Sequence, residues 1–279
     1  MVIDGKKIAE GILTKIKEKK TKKFFAAFLI GENPASVSFL KQKEKIAKAL
    51  NIDFRVYKLE EDITQDRLRK EILKITNHKT CGGVIVQLPL PSHVNAQYVM
   101  NVIPREKDVD VLGERALGAF YAGRNFILPP AVGVVEEILK NQNLILSEKK
   151  VGVVGLGNLV GKPIATWLKG KVSDLYLLDK GGDYSLIKNA DIVILGTGQP
   201  HLVSQGMLKE KVLVIDFGYG KKQMANDEWQ LVGDFNSEKL KIENCELKID
   251  FTPTPGGTGP ILVAKLFENF FILVEKQER

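Results

Sequence analysis

The stretch Val151-Gly-Val-Val-Gly155-Leu-Gly157-Asn-Leu-Val-Gly161-Lys-Pro163 decides the fold. Residues 151–154 are a short, wholly apolar run, the pattern of a strand buried on both faces. Residues 155–161 make a glycine-rich turn with GxGxxxG spacing. Residues 162–168 open a helix, with Pro163 in its first turn, where a missing N–H costs little. Strand, turn and helix in that order suit a dinucleotide. Glycines let the backbone approach a pyrophosphate, and free N–H groups at the helix N-terminus face its charge. Gly155, Leu156 and Gly157 are the candidate contacts. Asp179 ends the next apolar run, 24 residues after Gly155. Nucleotide folds place there the acid that hydrogen-bonds an adenosine ribose hydroxyl. A carboxylate at that point repels a 2′-phosphate, so the residues favour NAD over NADP, with the adjacent Lys180 as a partial offset. Gly196 and Tyr219 follow later strands, whose carboxyl ends line the ligand crevice of a parallel sheet. The structural alternatives are a glycine turn without a ligand and a solvated turn aspartate.

On both sides of this stretch, apolar runs alternate with helix-period stretches, the signature of βαβ units and a parallel sheet. Upstream, strands are predicted over 24–30, 54–59 and 83–87. Helices are predicted over 36–50, with Phe39, Leu40, Ile46, Ala47 and Leu50 apolar, and over 64–75, with Leu68, Ile72 and Ile75 on one face. Downstream come a helix over 132–139, strands over 175–178, 192–195 and 212–215, and a long final helix over 258–275. The pattern is an α/β chain of two domains, divided between Val111 and Leu128, where glycines are frequent and periodicity fades.

The length of 279 residues fits about two domains. With 44% apolar and 27% charged residues the chain is too apolar to be disordered. No apolar run reaches the roughly 18 residues of a membrane span, and residues 1–11 lack the apolar core of a signal peptide, which points to the cytoplasm. Cys81 and Cys245 form no CxxC pair and read as small buried residues. The net charge is +7, and residues 15–23 hold six lysines. No aromatics are interleaved, and no nucleic-acid-binding pattern accompanies the charge, so this run reads as a solvated face. A positive surface also steers small anionic substrates inward. His78, His93 and His201 have no carboxylate or cysteine at ligand spacing, so no metal site is expected. Ser36 reads as a helix N-cap rather than a nucleophile.

Five segments together carry a resemblance: Gly31-Glu-Asn-Pro-Ala-Ser36 with Lys43-Glu-Lys45, Val86-Gln-Leu-Pro-Leu-Pro91, Pro104-Arg-Glu-Lys-Asp-Val-Asp110, Val160-Gly-Lys-Pro163, and Thr252-Pro-Thr-Pro-Gly-Gly-Thr-Gly-Pro260. In order and over nearly the whole chain, they resemble the bifunctional methylenetetrahydrofolate dehydrogenase/methenyltetrahydrofolate cyclohydrolase family. The resemblance implies a three-layer α/β folate-facing domain (1–120 plus 258–279) and a Rossmann-like NAD(P)-binding domain (121–257). It also implies a cleft between them, a homodimer, and a reduced folate as substrate. The implied reactions are oxidation of 5,10-methylenetetrahydrofolate and hydrolysis of the methenyl product to 10-formyltetrahydrofolate. Lys43 matches the family's catalytic lysine, Gln87 the glutamine that orients it or the water, and Asp110 the aspartate that pairs with the pterin ring. Phe39, four positions before Lys43, shares its helix face. Pro255, Gly256 and Gly257 would let the backbone approach the substrate. Asp108 reads as structural.

The chain departs from the family pattern at informative points. Phe39 stands where tyrosine is usual. Its ring can still stack on folate but has lost the hydroxyl that would tune Lys43, so dehydrogenase activity is expected to survive and cyclohydrolase activity to weaken. Leu156 and Gly157 replace an arginine found in some members and a usual serine, and Asp179-Lys180 replaces a His-Ser pair. All three changes remove groups that hold a cofactor phosphate. Val111 replaces a usual glycine, and Ala116 a usual asparagine. The rival readings are an oxidoreductase acting on another pterin or a small acid, and a non-catalytic nucleotide-binding module with a decayed site.

Overall fold

A computed structural model describes residues 1–223, 229–238 and 248–278. Cys245 lies outside the described residues. The strands are β1 (Phe24–Ile30), β2 (Phe54–Leu59), β3 (Cys81–Val86), β4 (Lys150–Val154), β5 (Asp174–Leu178), β6 (Ile192–Leu195), β7 (Leu213–Asp216), β8 (Gly220–Gln223), β9 (Trp229–Val232) and β10 (Asp250–Phe251). The helices are α1 (Gly5–Ile16), α2 (Pro34–Ala49), α3 (Gln65–Thr76), α4 (Ala96–Met100), α5 (Glu114–Tyr121), α6 (Pro130–Asn141), α7 (Gly161–Leu168) and α8 (Thr258–Gln277). The chain divides into two compact units, Gly11–Pro130 with Val263–Arg279, and Met1–Glu10 with Ala131–Leu262.

In the first of these units a parallel sheet runs in the order β2-β1-β3. β1 is buried at every position, as its unbroken run Phe-Phe-Ala-Ala-Phe-Leu-Ile demands. One of its faces (Phe24, Ala26, Phe28) packs with Leu68 and Ile72 of α3 and with Val84 and Val86 of β3. On the other face Phe25 stacks on Phe270 of α8, ring centres 4.7 Å apart, and meets Phe267 edge-on. Helices on both faces make three layers. α2 starts two residues earlier than its apolar period suggests. Asn33, not Ser36, is its N-cap, accepting from the N–H groups of Ala35 and Ser36. Pro34 follows the cap, a position at which proline is pre-organised for a helix, so the breaker in the sequence is the helix start.

In the other unit a parallel sheet runs in the order β10-β7-β6-β4-β5. The chain leaves β4 for β5 on one side and then returns to β6 on the other, so the strand order reverses between β4 and β6. This is the topological switch point at which open α/β sheets take their ligands.

The units differ from the boundaries expected above. Residues 1–10 join the second sheet, because Val2 bridges to Phe251 and the Ile3 N–H donates to the Phe251 carbonyl. The stretch 111–128, where the division is expected, carries α5, and the division falls at Pro130/Ala131 and again within α8 at Leu262/Val263. No helix among the described residues is long and apolar enough to cross a membrane.

Candidate active site

Lys43 lies on the buried side of α2 and is 8% exposed. Its Nζ donates to Gln87 Oε1 at 2.8 Å. Gln87 follows the end of β3 and is tied there by its own N–H, which donates to the Phe28 carbonyl. Its Nε2 donates to the Leu88 carbonyl at 2.9 Å, which fixes the amide with its oxygen toward the lysine. Ser36 Oγ donates to the same carbonyl at 3.3 Å. Burial holds the Lys43 ammonium below its ordinary pKa, and the charge of Asp110 works the other way. The reverse holds for Asp110, whose carboxyl is pushed up by burial and drawn down by Lys43. The fold thus brings Lys43, Gln87 and Asp110 together from three separate segments. Phe39, one turn before Lys43, is half-buried.

The loop carrying Asp110 is braced from within. Asp108, 2% exposed, accepts from the N–H groups of Leu112 and Gly113 at 3.0 and 2.8 Å through Oδ2. Burial first, and then the charge of Asp110, push its carboxyl up to about 7. Val111 sits in the left-handed region at φ 57° with its side chain wholly buried. A β-branched residue is strained there, and this is the position at which the resembled family carries glycine. A surface hollow of about 610 Å³ lies on another flank of α2, lined by Gly31, Val37, Lys41 and Lys58. None of Lys43, Gln87 and Asp110 lines it.

The glycine turn after β4 is a backbone site. Gly155 has φ 88°, which a side chain would resist. A Cβ on Gly161 would fall 1.9 Å from the Gly155 carbonyl oxygen, so only glycine closes the turn against α7. Gly157 is exposed, and a Cβ there would meet nothing within 4 Å. α7 has no side-chain cap; in its first turn the Lys162 N–H donates to the Gly157 carbonyl and Pro163 has no N–H to offer, which closes the glycine turn onto the helix start. The Gly155 N–H donates to the Leu178 carbonyl, drawing the ends of β4 and β5 together. Asp179 and Lys180 follow β5 and are exposed. Gly196 follows β6 across the switch point, and Tyr219 is half-exposed beyond β7. An open glycine turn at the switch point and a solvent-facing acid at the next strand end together fit a dinucleotide. Pro255, Gly256 and Gly257 form a tight turn before α8. Gly256 has φ 103°, and a Cβ on Gly257 would lie 2.5 Å from the Pro253 carbonyl oxygen, so folding alone already requires both glycines. Asp234 bore no recognisable pattern in the sequence, yet it is wholly buried with its carboxylate on the turn after β6. Its one signal is an acid set among apolar neighbours in Val232-Gly-Asp-Phe235.

Residues 3–110 match the family described as tetrahydrofolate dehydrogenase/cyclohydrolase, catalytic domain, and residues 129–278 match its NAD(P)-binding domain. The bifunctional protein FolD of Helicobacter pylori (strain HPAG1) is 32% identical over 291 aligned residues, covering 100% of this chain and 97% of its own. The bifunctional FolD methylenetetrahydrofolate dehydrogenase/cyclohydrolase of Campylobacter jejuni superposes with TM-score 0.90 at 30% identity, over 99% of each chain. The Trypanosoma brucei methylenetetrahydrofolate dehydrogenase-cyclohydrolase, solved with NADP and an inhibitor, has TM-score 0.91 at 26% identity, over 100% of this chain and 98% of its own.

Proposed function

From the premise that the chain belongs to the tetrahydrofolate dehydrogenase/cyclohydrolase family, we propose that it oxidises 5,10-methylenetetrahydrofolate with NAD(P) and hydrolyses the methenyl product to 10-formyltetrahydrofolate. The observation that carries this is the buried Lys43, hydrogen-bonded to Gln87 beside Asp110. The unit holding these three is the folate-facing domain; the unit holding Gly155–Gly161 is the cofactor domain. When bound, the nicotinamide supplies the hydride acceptor. Gly155, Leu156 and Gly157 would hold its pyrophosphate, Asp179 its ribose, and Gly196 and Tyr219 its nicotinamide end.

In hydrolysis the water oxygen bonds to the one-carbon bridge and the bond from that carbon to N5 breaks. One water proton ends on N5 and the other leaves to solvent. Lys43 is suited to move these protons, because burial raises its neutral fraction. Gln87 holds the amine in place through its carbonyl oxygen. Asp110 pairs with the donors of the pterin edge, in the manner of bidentate carboxylate recognition. Phe39 supplies a flat face for the ring but no hydroxyl for Lys43, so dehydrogenation is the stronger half of the activity. Asp179 and the missing phosphate-binding groups at Leu156 and Gly157 favour NAD over NADP, with Lys180 as a partial offset. A homodimer belongs to the same reading, taken from the resemblance.

The test is spectrophotometric. Methenyltetrahydrofolate should form faster per unit of enzyme with NAD than with NADP, and its decay should quicken several-fold in Phe39→Tyr. A clear NADP preference overturns the cofactor assignment, and unchanged hydrolysis in Phe39→Tyr overturns the role given to the missing hydroxyl.

A further inference from the structure

Two buried aspartates hold the ends of the second sheet, and the chemistry above uses neither. Asp234 is 0% exposed and Asp216 2%. Asp234 Oδ2 alone accepts from the Thr197 N–H at 2.6 Å, the Thr197 hydroxyl at 2.8 Å and the Gly198 N–H at 3.2 Å. Those donors form the turn at the carboxyl end of β6, next to Gly196 and the switch point. Among the described residues, Asp234 Oδ1 is buried without a hydrogen-bond partner. The backbone of Gly218 lies against it so closely that a Cβ there would be 2.3 Å away. Asp216, ending β7, answers in kind. Its Oδ1 accepts from the Gly218 N–H at 2.7 Å and its Oδ2 from the Phe235 N–H at 2.9 Å. Its N–H donates to the Thr252 hydroxyl, and its carbonyl accepts from the Thr258 hydroxyl.

Two buried like charges and an unpaired carboxylate oxygen are costly. Burial, with the charge of Asp234 added, pushes Asp216 up to about 6. A chain that needed only to close this sheet could do so with neutral side chains. The charged arrangement instead gathers the strand ends that carry Gly196 and Tyr219 around two carboxylates, with charge-assisted bonds that fix backbone geometry. We propose that Asp234, braced by Asp216, is a positioning residue for the cofactor, setting the Thr197–Gly198 turn and the Gly218–Tyr219 segment that meet the nicotinamide end. This rests on the cofactor reading above.

Calorimetric titration with NAD⁺ and NADP⁺, together with steady-state kinetics, tests it. Asp234→Ala should weaken cofactor binding about tenfold, the worth of charge-assisted bonds to backbone, while the KM for folate changes by less than about twofold. Asp234→Asn keeps an oxygen for Thr197 and removes the like charge beside Asp216, so it should recover most of the loss. Thr197→Val, which deletes the hydroxyl that donates to Asp234 and accepts from the Gln199 N–H, should weaken binding about threefold. If Asp234→Ala does not fold, the other two variants decide. Unchanged cofactor affinity in Thr197→Val, an Asn variant no better than Ala, or equal losses for cofactor and folate would overturn the proposal. A wild-type protein that binds neither nucleotide would instead sink the cofactor reading, and this proposal with it.

Discussion

The Lys43 centre and the Gly155–Gly161 turn are built by opposite means. The first depends on side chains. An amine is buried, its partner amide is locked to a carbonyl, and an acid nearby shares its field. The second depends on side chains being absent, since two of its glycines are imposed by backbone geometry and a third faces open space. Burial shifts proton affinity and makes acid–base chemistry available. An open backbone turn shifts no proton and offers only oriented N–H groups. The contrast predicts that damage to the first region shows in rate and damage to the second in affinity.

The sharpest break is Lys43→Met, which fills the same space without an amine. Hydrolysis should fall by about 10²–10⁴-fold, the range for loss of a positioned acid–base group, with NAD(P) affinity unchanged by titration. A variant that hydrolyses at the parent rate would remove the chemical half of the comparison. Next in size are two alanines in the glycine turn. Gly161→Ala drives a methyl into the Gly155 carbonyl and should lower stability by about 2–3 kcal/mol, as overpacking does, along with cofactor binding. Gly157→Ala meets no atom of the folded chain, so its melting temperature should stay within a degree or two of the parent, while NAD(P) binding weakens. Equal melting losses at both positions would contradict the turn geometry.

The smallest effect concerns Asp108. Its folded carboxyl titrates near 7, raised from an ordinary 3.8. The folded state therefore binds more protons than the unfolded one across that window. Stability contributed by the protonated form is complete below about 4 and is lost as pH rises through 7. Asp108→Asn keeps an oxygen for Leu112 and Gly113 without the buried charge. It should melt a few degrees higher than the parent at pH 8 and close to it at pH 5. A parent melting curve flat between pH 4 and 8 would contradict the raised pKa.

Much of the site was legible because its cues are local. An apolar run, a glycine turn and a helix signal lie within a dozen residues of one another around Gly155. Lys43 was legible in kind but not in environment. The chain is rich in lysine, and only the resemblance singled this one out. Asp234 was invisible, because its partners Thr197 and Gly198 lie on another strand end. Ser36 misled for a simple reason: a serine near a helix start competes with every other capping residue nearby, and Asn33 lies just before the proline that opens α2.

By itself, then, the sequence determined strands β1–β7, helices α2, α3, α6, α7 and α8 and the glycine turn, since periodicity and φ tolerance act over a few residues, but not α1, α4, α5 or β8–β10. Tertiary structure alone decided that Lys43 is buried against Gln87, that Val111 bears a strained backbone beside Asp110, that residues 1–10 join the second sheet through Phe251, and that Asp234 holds the turn after β6. Those facts depend on which strands become neighbours. Burial and pairing between distant segments are properties of that sheet order, and no local pattern encodes them.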